Sequence, residues 1–161
     1  FGTHDEAFET LTLIQTGKTH IFPVVLVDEP GGTYWKRWQQ FVEDALLGER
    51  YISPSDLHLY KITESVEDAV EEVVRFYRVY HSMRYVRGHL VLRLQRKLSD
   101  AVLERVRTDF ADLAGGGTFE QVGMLPPEAN EPALAELPRL KFRFDRHNHG
   151  RLRQLIDFIN R

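Results

Sequence analysis

The five residues Gly2-Thr3-His4-Asp5-Glu6 carry the side chains and spacing best suited to chemistry, because they stand at the start of a predicted helix. Unpaired backbone N–H groups and the positive end of the helix dipole can hold a phosphate at such a start. Glycine lets a ligand approach the backbone closely, and the Thr3 hydroxyl can donate another hydrogen bond. The Glu6 carboxylate, one turn further on, could then reach the sugar attached to that phosphate.

The same spacing also has a purely structural interpretation. Thr3 and Glu6 match a capping box, in which each side chain satisfies the backbone donor of the other residue. Because such boxes are common, the local pattern alone favours capping over a phosphate site. The surrounding sequence must therefore decide between the two.

The elements that would position this segment alternate between helices and strands. The spacing of apolar residues predicts helices at about 5–16, 34–47 and 66–80, and short apolar runs predict strands at 21–27 and 57–62. This order favours an α/β fold with helices packed on a parallel sheet. Because two strands make a poor sheet, we expect only a partial Rossmann-like layer.

The pattern changes in the second half of the chain. Alternating apolar residues predict strands at 90–94 and 139–144, with a weaker strand near 118–122, and helical spacing predicts helices after Ser99 and near the C-terminus. The resulting β-α-β-β-α order resembles a ferredoxin-like or ACT-like sandwich that lacks its final strand. This part is therefore expected to be a small α+β domain.

Charge supports a division of the chain into two domains. Residues 1–81 contain 7 Lys/Arg and 14 Asp/Glu, whereas residues 82–161 contain 14 and 10. A change of sign at a linker is typical of two units in different surroundings. We therefore predict a Rossmann-like domain over residues 1–81 and an α+β domain over residues 84–161.

Composition excludes several classes of protein. The 161 residues include no cysteine, so neither a disulfide framework nor a thiolate metal site is possible. The longest apolar runs are too short to span a bilayer, and the first residues do not resemble a signal peptide. We therefore expect a cytoplasmic protein without a membrane partner.

The first segment resembles the motif Pro-Gly-Gly-x-Gly-Thr-x-x-Glu of the LONELY GUY (LOG) family, which is often labelled possible lysine decarboxylase. Phe1 would be the variable residue, and Gly2, Thr3 and Glu6 match the rest. The Pro-Gly-Gly is absent, so we expect the chain to start inside the motif. The resemblance continues through the segments that follow, which are similar to the C-terminal half of the family's Rossmann-fold domain: Phe22–Val27, Tyr34–Leu47, Tyr51–Leu57 and Glu64–Ala69.

This resemblance implies hydrolysis of the N-glycosidic bond of a nucleoside 5′-monophosphate such as AMP, which releases the base and ribose 5-phosphate. Gly2 and Thr3 would bind the phosphate, and Glu6 would be the catalytic residue that contacts the ribose and assists departure of the base. A carboxylate near C1′ favours the positive charge that develops there. The implied activity is that of a hydrolase, a phosphoribohydrolase, with no metal and no other cofactor.

The family's site also uses an arginine and other residues that precede the motif, and none of them can be matched in this chain. We therefore expect activity only in a full-length protein. The resemblance also implies a homo-oligomer. The alternative from another functional class is a non-catalytic nucleotide-binding protein, or an ACT-like module that regulates or mediates oligomerisation.

Two further motifs imitate ligand sites. Pro30-Gly31-Gly32-Thr33 lacks the lysine of a P-loop, so a tight turn is favoured, with a loop lining the nucleotide pocket beside Asp28 as the alternative. His147-Asn148-His149 could hold a metal, but two imidazoles without a paired carboxylate form a weak ligand set. A helix start capped by Asn148 is favoured there.

The basic strand Arg139-Leu140-Lys141-Phe142-Arg143-Phe144 favours another class of function. Arg139, Lys141 and Arg143 would share one face of the sheet and could bind RNA or another anion. RNA-binding sandwiches place aromatic side chains on the open face, whereas both phenylalanines here share the side of Leu140. We therefore expect the phenylalanines in the core, the basic face solvated or at an interface, and nucleic acid not to be the partner.

Overall fold

The computed structural model describes residues 1–161, which form two compact units. The first unit consists of residues 1–76 and 146–154, and the second of residues 77–145 and 155–161. The C-terminal helix α5 (His149–Ile159) therefore contributes residues to both units.

The first unit is built around two parallel strands. Its elements are α1 (Gly2–Gln15), β1 (Val24–Val27), α2 (Tyr34–Phe41), a π-helix (Val42–Leu47), a 3₁₀-helix (Pro54–Leu59), β2 (Tyr60–Thr63) and α3 (Val66–Phe76). Strand β1 pairs with β2 in register from Val24 opposite Tyr60 to Val27 opposite Thr63. The predicted α/β class with parallel strands is confirmed.

The core of the first unit lies where α1, β1 and α2 meet. Trp35, Trp38 and Val42 recur at helical spacing, so they share one face, and they are buried with Ala7 and Leu26. Helix α2 therefore contributes its tryptophan face to the core of the first unit.

The helix predicted at 34–47 is continuous, but its hydrogen bonding changes after Phe41. Residues Val42–Leu47 are in a π-helix, and the Gly48 N–H donates to the Glu43 carbonyl oxygen over 2.9 Å. A Cβ at position 48 would lie 2.3 Å from the Asp44 carbonyl oxygen. Only glycine allows this wide last turn to close without movement of the backbone.

The second unit is an antiparallel sheet of four strands. Its elements are β3 (Tyr80–Val86), β4 (His89–Leu94), α4 (Asp100–Asp109), β5 (Glu120–Val122) and β6 (Arg139–Arg143), together with three short 3₁₀-helices and the end of α5. The strand order is β3-β4-β6-β5. Strands β4 and β5 both run antiparallel to β6 and are joined through α4, which is the split β-α-β arrangement of ferredoxin-like sheets.

The position of the expected missing strand is occupied by a strand that the sequence pattern did not predict. Strand β3 pairs with β4 and occupies the edge where a ferredoxin-like sheet carries its last strand. The helix predicted to reach residue 80 in fact ends at Phe76. Tyr80, Met83 and Val86 are buried at a spacing of three, and a bulge shifts the register between Tyr80 and Ser82. That spacing resembles a helix more than a strand.

The interior of the second unit is closely packed on both sides of its sheet. Strand β4 buries five successive residues from Leu90 to Leu94. Phe142 is fully buried and Phe144 is 5 % exposed, so the prediction that these phenylalanines face the core is confirmed.

Candidate functional site

The predicted phosphate site lies in the first two turns of α1, which begins at Gly2 and not near Asp5 as the sequence indicated. The Phe1 carbonyl oxygen accepts hydrogen bonds from the backbone N–H groups of His4 and Asp5, at 3.0 and 3.1 Å. No side chain caps this helix start, and Thr3 and Glu6 are both exposed. The capping-box interpretation of Thr3 and Glu6 is therefore wrong.

The first helical turn is open to a ligand. In an α-helix the first backbone N–H groups have no partner within the helix. Here His4 is the first residue whose N–H donates within the helix, so the N–H groups of Gly2 and Thr3 precede it. A Cβ built on Gly2 would meet no atom within 4 Å. An anion could therefore approach both amides without displacing protein atoms.

An open cleft of about 660 Å³ lies on another side of α1, at the carboxyl end of β1. Ligands of parallel α/β sheets usually bind beyond this end of the strands. The cleft combines aromatic rings with several polar groups, and its lining residues are His4, Phe8, Asp28, Glu29, Thr33, Tyr34, Arg37, Trp38 and Phe41.

Glu6 does not contribute to this cleft. At 3.6 residues per turn, Glu6 lies roughly 180° around the axis of α1 from the midpoint between His4 and Phe8, which line it. The structure therefore separates the predicted catalytic carboxylate from the cleft, and Gly2 and Thr3 are not among the cleft residues either. A ribose bound beside Glu6 would lie on the exposed side of the helix.

The sequence alone does not indicate that His4, Tyr34 and Arg37 line one cleft. The His4 ring lies 5.2 Å from the Tyr34 ring and 5.9 Å from the Trp35 ring, measured between centroids. The aromatic residues at the start of α2 are visible in the sequence, but their types alone do not distinguish a cleft lining from a core. The position of His4 within the motif was the one signal that could have drawn attention to this face.

The loop between β1 and α2 is held by carboxylates. Asp28 accepts hydrogen bonds from the backbone N–H groups of Glu29 and Trp35, at 3.1 and 3.2 Å, so it caps α2. The Gly32 N–H closes the turn by donating to the Glu29 carbonyl oxygen over 2.8 Å. The predicted tight turn is confirmed, and Asp28 and Thr33 also line the cleft.

Glu64 fixes the other side of this loop. Its carboxylate accepts a hydrogen bond from the Gly31 N–H at 2.7 Å and pairs with Lys36. The hydrogen bond from Lys36, followed by that from Gly31, lowers the pKa of Glu64 below its usual value. The rim of the cleft is therefore held by an ionised carboxylate at neutral pH.

The segment His147-Asn148-His149 forms a helix start. The Asn148 side-chain oxygen accepts hydrogen bonds from the Arg151 N–H and the Ser55 hydroxyl, both at 2.9 Å. The favoured interpretation, in which Asn148 caps α5, is confirmed. No group of three or more histidine and acidic side chains is arranged to hold a metal ion.

The basic face predicted on β6 is not formed as expected. Arg139 is fully buried, and its Nε atom lies 3.2 Å from the buried Glu128 carboxylate. The Lys141 ammonium lies 3.0 Å from Glu120, and Arg143 remains exposed. The expectation of a basic face that is solvated or at an interface is therefore wrong for Arg139, because the proline-rich segment after β5 brings Glu128 onto this face of the sheet.

The first unit thus combines parallel strands, an uncapped helix start and a cleft at the carboxyl end of a strand. Residues 1–73 match the model of the family described as Possible lysine decarboxylase. This match confirms the LOG-family resemblance for that part of the chain, and residues 74–161 lie outside it. A search of curated proteins gave no match. None of the helices is long and apolar enough to cross a membrane.

Proposed function

We propose that this chain forms part of a nucleoside 5′-monophosphate phosphoribohydrolase of the LOG type, in which Gly2 and Thr3 bind the phosphate and Glu6 acts on the ribose. The family match over residues 1–73, which includes all three residues, carries the proposal. The open first turn of α1 supports it, because its amides and the helix dipole suit an anion.

The proposed reaction breaks the bond between C1′ of the ribose and a nitrogen of the base. Water adds its oxygen to C1′, and its proton passes to the departing base, giving ribose 5-phosphate. Positive charge develops at C1′ as the bond breaks, and the Glu6 carboxylate stabilises it electrostatically. Glu6 is exposed, so closure of the site around the ribose must come from other residues, as in the family, where residues that precede the motif take part.

Adenine release from AMP by the complete protein tests this proposal. We expect the wild-type protein to release adenine and Glu6→Ala to lose the activity. Glu9→Ala is the matched control, because Glu9 is also an exposed carboxylate on α1 but lies outside the motif. Equal activity of the Glu6→Ala and Glu9→Ala proteins would refute the role of Glu6.

A non-catalytic nucleotide-binding protein is the second candidate. The observation in its favour is that the cleft faces away from Glu6, so a nucleotide bound in the cleft would not meet the proposed catalytic group. This candidate predicts saturable binding of AMP, measured by calorimetry, without release of adenine. Arg37→Ala should then weaken AMP binding, whereas Glu6→Ala should not.

We further propose that the protein is a homo-oligomer. Helix α3 exposes a run of valines on one face, with exposed fractions of 66 % for Val66, 56 % for Val70 and 64 % for Val74. Apolar patches of this kind commonly mark interaction surfaces. Sedimentation should show an oligomer that Val70→Glu dissociates, and a monomeric wild-type protein would refute the proposal.

A further inference from the structure

A cavity of about 120 Å³ lies inside the first unit, away from the Gly2-Thr3 segment and next to the open cleft, with which it shares Phe8 and Trp38. Side chains from α1, α2, the π-helix, the 3₁₀-helix and β2 surround it. Most of them are apolar, and the lining comprises Phe8, Leu11, Thr12, Gln15, Trp38, Val42, Leu46, Ile52, Asp56, Leu59 and Tyr60. Thr12 is exposed, which places one edge of the cavity at the surface.

Two hydrogen-bond donors in this lining have no acceptor in the protein. The indole Nε1 of Trp38 and the phenol oxygen of Tyr60 are both buried and unpaired, and Trp38 as a whole is only 4 % exposed. Their rings meet edge to face with centroids 5.1 Å apart. Buried donors nearly always find a partner, because an unpaired one costs free energy. Two such donors on neighbouring rings at one cavity indicate a site for an acceptor.

The backbone beside the cavity supplies an independent observation. Val42 and Leu46 belong to the π-helix that continues α2. π-Helical turns are rare and are found frequently at functional sites. The irregular part of this helix therefore coincides with the cavity and its unpaired donors.

We propose that this cavity binds a small, uncharged molecule the size of one aromatic ring, whose hydrogen-bond acceptor takes the N–H of Trp38 or the O–H of Tyr60. The volume is close to that of engineered apolar cavities, roughly 150 Å³, which admit benzene. This site is independent of the proposed hydrolase function and uses none of its residues.

The charges at the cavity exclude a nucleotide as its ligand. No lysine or arginine lines it. The Asp56 carboxylate already accepts hydrogen bonds from the Gln15 side chain at 2.7 Å and the Ser53 N–H at 2.9 Å. Burial, with a smaller contribution from Glu43, raises the pKa of Tyr60 to about 12, so its phenol remains a donor at neutral pH. A phosphate would therefore find no countercharge, whereas a neutral acceptor finds donors.

Pyridine and benzene are the test ligands, because they have the same size and only pyridine carries an acceptor. Titration at pH 7.5 is followed through the two indole N–H signals of the ¹⁵N-labelled protein, assigned with Trp35→Phe. We expect saturable shifts of the Trp38 signal with both ligands. The absence of any saturable shift of the Trp38 signal would overturn the proposal, and would leave water as the only occupant.

Conservative variants test the acceptor. Removing the donor that pyridine uses, by Tyr60→Phe or Trp38→Phe, should weaken pyridine binding about tenfold, as expected for one hydrogen bond. Tyr60→Phe keeps the ring and should leave benzene binding unchanged. Trp38→Phe lacks the indole signal, so its binding is followed through the backbone N–H signals of Val42 and Leu46, which line the cavity. Tyr34→Phe is the control, because it also loses a phenol oxygen but lies outside the lining. If both Tyr60→Phe and Trp38→Phe bind pyridine as the wild type does, the proposed hydrogen bond is refuted.

A cavity-filling variant keeps the test valid if a donor variant folds poorly. Leu46→Phe adds volume at a lining position, so it should abolish binding of both ligands while the protein remains folded. Binding that survives in folded Leu46→Phe would show that the ligands bind elsewhere, and would contradict the assignment of this cavity.

Discussion

The two units of this protein differ in how far their apolar and charged side chains are buried. In the first unit, large apolar side chains remain exposed on β1 and along α3, including Val27, Val66 and Val74. In the second unit, β4 buries residues on both faces of the sheet, and a charged network closes one of these faces. The second unit thus buries both faces of its own sheet, whereas the first unit leaves apolar surface exposed for further contacts.

This difference follows from the type of sheet. Parallel strands are normally covered by helices on both faces, so their sequences are apolar throughout. With only two strands, β1 and β2, the first unit cannot bury all of that surface. The family match covers this unit up to residue 73, and its proposed reaction likewise depends on groups outside the motif. Exposed apolar surface and an open site therefore occur in the same unit.

The largest effect on this comparison is expected from Glu128→Ala in the second unit. Glu128 is fully buried and pairs with Arg93 at 2.7 Å and Arg139 at 3.2 Å. Its removal leaves Arg139 buried without a carboxylate partner and leaves Arg93 with only the partly exposed Glu131, which should cost about 3–5 kcal/mol of unfolding free energy. Urea denaturation measures the loss, with the exposed Glu136→Ala as control. A loss below about 1 kcal/mol would contradict the structural role of this network.

A smaller loss is expected from the equivalent change in the first unit, Glu72→Ala. Glu72 is 3 % exposed and meets the Arg153 guanidinium at 2.5 Å, and it also pairs with Arg75 and Lys61. Arg75 and Lys61 are partly exposed, so water can solvate them once Glu72 is removed, and the buried Arg153 keeps its contact with the Phe76 ring. We expect a loss of about 2–3 kcal/mol in the same denaturation experiment. A loss of unfolding free energy larger than that of Glu128→Ala would contradict the expectation that the buried ion pairs of the second unit contribute more to stability.

The Gly32→Ala substitution tests the rim of the cleft. A Cβ at position 32 would lie 2.3 Å from the Asp28 Oδ1 atom, so Asp28 must move and its hydrogen bond to Trp35 is weakened. We expect a loss of about 1–2 kcal/mol, the usual value of a helix cap. Gly123→Ala is the control, because a Cβ there meets no atom within 4 Å. Equal stability of the two variants would refute the capping role of Asp28.

Acid should weaken the second unit through Glu128. Burial alone would raise the pKa of Glu128, but the Leu125 N–H, Arg93 and Arg139 lower the pKa overall to below its usual value. A lowered folded-state pKa adds stability above the unfolded-state pKa, and this stability is lost as pH falls through the folded-state pKa. The unfolding free energy should therefore fall less steeply below about pH 4.5 in Glu128→Gln than in the wild type. Parallel pH profiles would contradict the assignment.

Much of the fold could be predicted from the sequence, because most elements carry a clear apolar period. The helices of the first unit and strands β1, β2, β4 and β6 lie within or close to their predicted ranges. Strand β3 was missed because its buried residues recur every third position rather than every second, and because a bulge interrupts its register near Tyr80. The register of that bulge depends on pairing with β4, which local sequence does not reveal.

The candidate site was less predictable than the fold. Gly2, Thr3 and Glu6 could be selected from their types and spacing, but their exposure and the missing cap depend on the backbone at Phe1. The burial of Arg139 depends on Glu128, eleven residues earlier in an irregular segment. Contacts of this kind join residues that do not belong to the same helical or strand repeat, so no local sequence pattern indicates them.

The most direct test of the proposed function is the rate of adenine release from AMP by Glu6→Gln. Glutamine keeps the size of the side chain and removes its charge, so the exposed helix start should remain folded. If Glu6 stabilises positive charge at C1′, the rate should fall by about 100-fold or more, with unchanged unfolding free energy. An unchanged rate of adenine release in a folded Glu6→Gln protein would contradict the proposal that this carboxylate drives the reaction.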